Sequence, residues 1–427
     1  MKLLLLVVGN AVVLLALLRW VQQQRRAPDL GPFLLPLLGL RLLAALFSTL
    51  RPSEDAGYYH AWSGHLAEQL WAEPLGWLQM LAGNEFSFGG RSLVFHGYSN
   101  TFFFLKLLSA LSWLTGDFFV LKALYLALAA GMAVWTLARV LTRLFPATWG
   151  AALLALFWPS ALYWSSGITK ESLLLAGCCL LLAGALRLLY RPAGTGWLGW
   201  AGLALLGAWL SFQMRFFFGG ALLGMLLALA LVRLAQQLAG GGLRRRWQML
   251  LFAGTLLAGA WAAGQVSPVF RFNKFASQLT RTYTKLQQKS VGRPHVALPE
   301  LAPTAESMLR HAPKAVASTL YRPLAWEGDS VFYGFAALEN LFLLLLNGLA
   351  CWDWARRRWA PLPFALALLL FAYCLSMAAL IGLSTPNLGT LSRYRAAWLP
   401  LLVYLLAAQP TVAGALLRLR GRLGRRG

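Results

Sequence analysis

The stretch Leu30–His65, LGPFLLPLLGLRLLAALFSTLRPSEDAGYYHAWSGH, decides the fold. Its first part, through Leu50, is a run of more than twenty residues with Arg41 as its one charge. A run of that length crosses about 30 Å of hydrocarbon. The chain then turns polar, and Glu54 and Asp55 stand side by side within a few residues of where a membrane span ends. Only 14 of the 427 residues are acidic, so two adjacent carboxylates followed by Tyr58, Tyr59 and Trp62 need a reason.

The rest of the chain repeats the pattern. Hydrophobic residues make up 59% and charged residues 12%, against about half and a quarter in a soluble globular chain. The excess is gathered into apolar windows at 2–18, 29–50, 118–138, 147–165, 172–190, 196–212, 216–236, 247–265, 331–351, 361–383 and 396–416. The expected fold is therefore an all-α polytopic membrane protein of about 11 transmembrane helices in a single integral membrane domain, 1–427. Residues 1–27 form an extra N-terminal span and inner loop. No small-residue cleavage site follows this first helix, only Arg19, Trp20, Arg25 and Arg26, so it reads as a retained span.

The net charge of +24 is dispersed. Arginines cluster between apolar runs, at Arg19/Arg25/Arg26, Arg139/Arg143, Arg187/Arg191, Arg233 with Arg244–Arg246, Arg356–Arg358 and Arg418–Arg426. That is the distribution of cytoplasmic loops, and it carries no nucleic-acid-binding motif. Cys178, Cys179, Cys351 and Cys374 all lie in apolar runs, with neither metal-ligand spacing nor a disulfide framework.

With the arginine patches inside, the N-terminus lies outside and the C-terminus inside. Two long segments then lie outside. The first, 51–117, includes TFFFLKLLSALSWLT (101–115), which reads as an interfacial helix because a further span there would invert every later arginine patch. The second, 266–330, is a long basic outer loop. It places Phe275, Leu279 and Leu286 near one stripe of an amphipathic helix with cations around it.

Polar groups beside the outer ends of spans are few, and such groups tend to face a cavity or a partner. If 54–71 is helical, Asp55, Tyr59 and Trp62 share a face, which suits a sugar: rings stack and the carboxylate contacts a hydroxyl. Ser53, Glu54 and Asp55 also all suit an ordinary helix start, which is the alternative. Within YWSSGITKES (163–172) Lys170 and Glu171 open the next helix, where free backbone N–H groups favour an anion; an ordinary loop with a surface ion pair is the alternative. Arg393, Tyr394 and Arg395 open the last span, where positive charge opposes the inside rule. Arginine forks match phosphate, and contact with lipid headgroups by the same side chains is the alternative. His60, His65 and His96 could join Asp55 around a divalent ion such as Mg2+ or Mn2+, although no tight metal-ligand motif is present.

In EDAGYY (54–59), YWSSGITKES (163–172) and NLGTLSRYR (387–395), set in this topology, the chain resembles the GT-C superfamily. These are integral-membrane glycosyltransferases that use polyprenyl-phosphate sugars, including protein mannosyltransferase-like and aminoarabinose transferase-like enzymes. The resemblance covers about 28–416. It implies transfer of a sugar from a polyprenyl-phosphate donor to a glycan, lipid or protein acceptor. The site would lie at the outer face of a bacterial-type cytoplasmic (inner) membrane, with Asp55 as catalytic acid/base and no nucleic acid involved. A lipid-linked glycan polymerase or ligase, or a lipid-glycan flippase or transporter, is the alternative. A transporter needs charges along a membrane path, and Arg41 is the clearest mid-span charge.

Overall fold

The computed structural model describes residues 2–190, 196–328 and 330–423. Arg191, Arg425 and Arg426 of the arginine patches lie outside the described residues. In chain order come α1 (Lys2–Arg25), α2 (Leu34–Leu50), α3 (Glu54–Ala72), α4 (Pro74–Ala82), the strands β1 (Glu85–Phe88) and β2 (Arg91–Val94), α5 (Asn100–Thr115), α6 (Phe119–Leu144), α7 (Trp149–Leu156), α8 (Pro159–Trp164) and α9 (Lys170–Tyr190). There follow α10 (Trp197–Met214), α11 (Phe216–Leu238), α12 (Arg245–Val266), α13 (Phe272–Gln288), α14 (Ala305–Tyr321), α15 (Val331–Ala355), α16 (Phe364–Ser384), α17 (Leu388–Arg395), α18 (Leu399–Ala407) and α19 (Pro410–Leu423). The protein is an all-α polytopic membrane protein, and β1 and β2 pair as one antiparallel hairpin.

Among the described residues, 8 helices are long and apolar enough to cross a membrane, or up to 9 if one bent pair counts as a span. Three of the eleven expected windows are not among these eight. Window 147–165 is broken between Leu156 and Pro159, where the proline starts a new helix and leaves α7 only 8 residues long. Window 396–416 bends by 82° between α18 and α19, at Pro410. The Asp353 carboxylate accepts from the Thr411 N–H (2.8 Å) and hydroxyl (2.6 Å), and so closes the start of α19. Window 196–212 forms the continuous helix α10, but Trp197, Trp200, Trp209 and Gln213 lower its mean hydropathy, and it is not among the eight.

The chain divides into two compact units. The first comprises Met1–Arg139, Leu162–Leu181 and Leu205–Phe217. In it α5 packs on α3, burying Phe102, Phe104, Leu105 and Leu108. Lys106 donates to the carbonyls of Leu81 (2.8 Å) and Gly83 (2.6 Å), so this charge closes the C-terminus of α4. Burial lowers the pKa of Lys106.

The second unit comprises Val140–Ala161, Leu182–Ala204 and Phe218–Gly427. Its most extensive helix pairing is α14 on α16. The two backbones approach so closely that a Cβ on Gly382 would stand 2.3 Å from the Ala315 carbonyl oxygen, and Thr319 donates to the Ala378 carbonyl at 2.9 Å. Small residues and buried hydroxyls are the usual means of joining helices in lipid. The basic segment 266–330 holds α13 and α14. In α13 Ala276 and Tyr283 are buried, with Phe275, Leu279 and Leu286 half-buried beside them.

Candidate functional site

The sequence-predicted residues fall in both units: Glu54, Asp55, Tyr59, Trp62, Lys170 and Glu171 in the first, Arg393, Tyr394 and Arg395 in the second.

In the first unit, α3 starts where Ser53 takes an extended conformation and its hydroxyl accepts from the Ala56 N–H at 3.2 Å. Of the three residues suited to a helix start, Ser53 is thus the one whose side chain caps it. Both carboxylates are exposed in the first turn, where the helix dipole favours negative charge. One turn on from Asp55, Tyr59 is buried, edge-on to Phe104 with ring centres 5.1 Å apart. Trp62 is half-buried, 6.3 Å from Tyr58 and 5.6 Å from His65.

Lys170 is delivered by the turn that precedes α9. Gly167 there takes φ +113°, a backbone that side chains rarely adopt, and the Thr169 hydroxyl donates back to the Trp164 carbonyl at 2.9 Å. The Lys170 ammonium donates to Asn100 Oδ1 (2.9 Å) and Thr101 Oγ1 (2.7 Å) and lies 5.2 Å from the centre of the Tyr59 ring. Asn100 in turn donates to the Met214 carbonyl at 2.9 Å, and the Tyr98 hydroxyl donates to the Gln213 carbonyl. Glu171 is buried and pairs with Arg215 at 3.2 Å, at the break between α10 and α11. The α9 start, the α5 start and the α10–α11 break are therefore joined by one polar cluster in which a cation sits over an aromatic ring.

Two members of this cluster, Asn100 and Thr101, escaped the sequence reading. They are neutral, and they meet Lys170 from about seventy positions away. A second ion pair beside α3 was also missed: the buried Lys122 pairs with the half-buried Asp117 and donates to Ser63 Oγ at 2.8 Å. Lone charges at the start of an apolar run were the available signal.

The histidines do not assemble a metal site. His60 stands edge-on to Phe119 at 5.0 Å; burial, followed by the Lys122 charge, lowers its pKa, with Asp117 opposing. His65 Nδ1 lies 2.7 Å from Arg91 Nη1, and Arg91 also holds Glu68 at 2.8 Å. No three His, Cys, Asp or Glu side chains come together as ion ligands among the described residues. A guanidinium on His65 repels a cation, so the donors do not fit a divalent ion, and no step below uses one.

In the second unit, Arg395 is fully buried. Its Nη1 donates to the carbonyls of Thr319 (3.2 Å), Leu320 (3.1 Å) and Arg322 (3.4 Å), the end of α14, and its Nη2 lies 3.7 Å from Glu339. Glu339 accepts from Trp158 Nε1 (2.8 Å) and from the Ser160 N–H (2.7 Å) and hydroxyl (2.5 Å). Half of the Arg395 fork is thus committed to closing a helix, which argues against Arg395 as a phosphate ligand. Glu339 was missed, although a lone acid inside the apolar run AALENLFLL was legible. Arg393 and Tyr394 are half-buried, with the Arg393 guanidinium 5.5 Å from the Tyr394 ring centre.

Comparison with protein-family models, curated proteins and solved structures finds no match.

Proposed function

We propose that the protein is a membrane glycosyltransferase that moves a sugar from a polyprenyl-phosphate donor to a hydroxyl-bearing glycan, lipid or protein acceptor. The membrane in this reading is a bacterial-type cytoplasmic membrane, and the arginine patches favour a site at its outer face.

The observation that carries this reading is the cluster in the first unit. The exposed carboxylate of Asp55 lies one helical turn from a tyrosine ring, and that ring lies under the ammonium of Lys170. Sugar transfer from a lipid phosphate needs a base for the acceptor proton and a cation for the departing phosphate. In the proposed step the acceptor oxygen forms a bond to the anomeric carbon as its proton passes to Asp55. The bond from that carbon to the phosphate oxygen breaks, and the lipid phosphate leaves against Lys170. Trp62, half-buried, is the ring left for the sugar; Tyr59, expected to share that role, is buried and supports Lys170 instead. This step uses residues of the first unit only; Arg393 and Tyr394 lie in the second, where Arg395 closes the end of α14.

The test is turnover of a panel of radiolabelled polyprenyl-phosphate sugars by the protein in liposomes. Release of lipid phosphate coupled to sugar transfer, lost in Asp55→Asn, supports the reading. A protein that moves intact lipid-linked glycan between leaflets with no bond cleavage is a transporter, and the reading fails.

A further inference from the structure

The helix α13 carries a feature that the sugar-transfer site does not use. Between Glu171 and Glu300 the chain has no Asp or Glu at all. Within that interval α13 rises as a 17-residue helix in a segment rich in lysine and arginine. Arg271, Lys274, Gln278, Arg281 and Lys285 recur every three or four residues, so they fall on one stripe of the helix surface, and all are exposed. The opposite stripe is occupied. Ala276 and Tyr283 are buried, and the Tyr283 hydroxyl donates to the Val296 carbonyl (2.9 Å) and accepts from the Leu298 N–H (2.7 Å). No carboxylate pairs with Lys274, Arg281 or Lys285 among the described residues.

An ordinary solvated helix face mixes the two signs of charge. Here like charges stand about 10 Å apart from Lys274 to Arg281 and about 6 Å apart from Arg281 to Lys285 along the axis. A helix that lies on lipid needs a free apolar face to insert. In α13 Phe275, Leu279 and Leu286 are half-buried against the protein and Phe272 at its start is exposed, but from Asn273 to Gln288 the exposed positions hold only amides, hydroxyls and cations. Amides and hydroxyls interleaved with cations match a chain of sugars that bears its own repeated negative charge.

We infer that the exposed face of α13 binds an anionic glycan chain through Lys274, Arg281 and Lys285. If the sugar-transfer reading holds, that chain is the acceptor; the binding itself does not depend on that reading.

The test uses the full-length protein in nanodiscs of neutral phosphatidylcholine and a fluorescent polygalacturonate oligosaccharide as probe. Binding is expected to weaken as salt rises, and neutral dextran is expected not to bind. Combined Lys274→Glu, Arg281→Glu and Lys285→Glu should weaken the probe at least tenfold, and the corresponding Gln substitutions should act in the same direction with the melting temperature preserved. Reversal of the exposed Arg356, Arg357 and Arg358 to Glu, an equal change of net charge elsewhere, should leave binding within twofold. Loss of turnover with probe binding intact counts against the transferase alone. The inference falls if the probe does not bind, if the two reversals act alike, or if phosphatidylglycerol in the discs abolishes binding, which would make the stripe a headgroup contact.

Discussion

The ammonium of Lys170 lies 5.2 Å from the centre of the Tyr59 ring while it donates to Asn100 and Thr101. Three fixed contacts hold one flexible cation in place, which is what a phosphate-binding lysine needs before its ligand arrives. Lys170→Met keeps the length and loses the charge. Donor affinity should fall by about 1.5–3 kcal/mol, the value of a hydrogen bond to a charged group. Tyr59→Phe should be nearly silent and Tyr59→Leu should cost about 0.5–1 kcal/mol, since the ring face and not the hydroxyl meets the cation. Titration of a fluorescent polyprenyl phosphate separates these values.

Ser53, not Asp55, caps α3. Asp55→Asn therefore removes one exposed first-turn charge, a stability cost of at most about 0.3–1 kcal/mol. A general base in the same position is worth about 10²–10⁴-fold in turnover. The expected outcome is a folded variant with turnover down by that factor, and a milder loss in Glu54→Gln. An Asp55→Asn protein that transfers sugar at the wild-type rate removes the base from the mechanism.

The arginine patches assign sidedness, and labelling tests it. In a cysteine-free background, exposed positions 92 and 288 are expected on the outside and position 358 inside. Ser92→Cys and Gln288→Cys should react with an impermeant maleimide on intact cells, and Arg358→Cys should react only after permeabilisation. The reverse pattern would move the Asp55 and Lys170 cluster to the cytoplasmic side.

Much of the fold is legible in the sequence because apolar runs near twenty residues have few alternatives. The breaks were harder to see. Pro159 and Pro410 are visible punctuation, but hydrophobic residues continue on both sides, so hydropathy alone carries the windows straight through. Of the site, the residues with charge stood out against an uncharged background: Glu54, Asp55, Lys170, Glu171 and Arg393. Their partners did not. Nothing in the spacing of Asn100 and Thr101 announces a lysine seventy residues later, because a neutral side chain in an irregular turn leaves no periodic trace. Arg395 shows the converse limit. An arginine next to Arg393 reads as half of a phosphate clamp, and only packing reveals that α14 ends on it.

His60 gives a pH signature. Burial and the Lys122 charge hold its folded pKa below the ordinary histidine value. The unfolded chain then binds the proton more readily, so the contribution of His60 is fully present above about 6.5 and is lost as pH falls toward the folded value. The melting temperature should drop on acidification through that interval, and His60→Gln should flatten the drop. Equal slopes in the two proteins would show that other groups carry the acid sensitivity.

The two neighbouring arginines of α17 should separate cleanly. Arg395 is buried against the α14 carbonyls and Glu339, whereas Arg393 is half-buried beside Tyr394. Removing one member of a buried charged network costs about 3–5 kcal/mol, because the remaining charge is stranded. Arg395→Met should therefore lower the melting temperature sharply, as should Glu339→Leu. The double variant should lose much less than the sum, since neither partner then remains uncompensated. Arg393→Ala should cost less stability than Arg395→Met, because Arg393 is half-buried beside Tyr394 and Arg395 is fully enclosed. Thermal melts and donor titrations on the same four proteins decide the matter. Additive losses in the double variant would show that Glu339 and Arg395 act independently, and a stable Arg395→Met protein with weakened donor binding would return Arg395 to the phosphate.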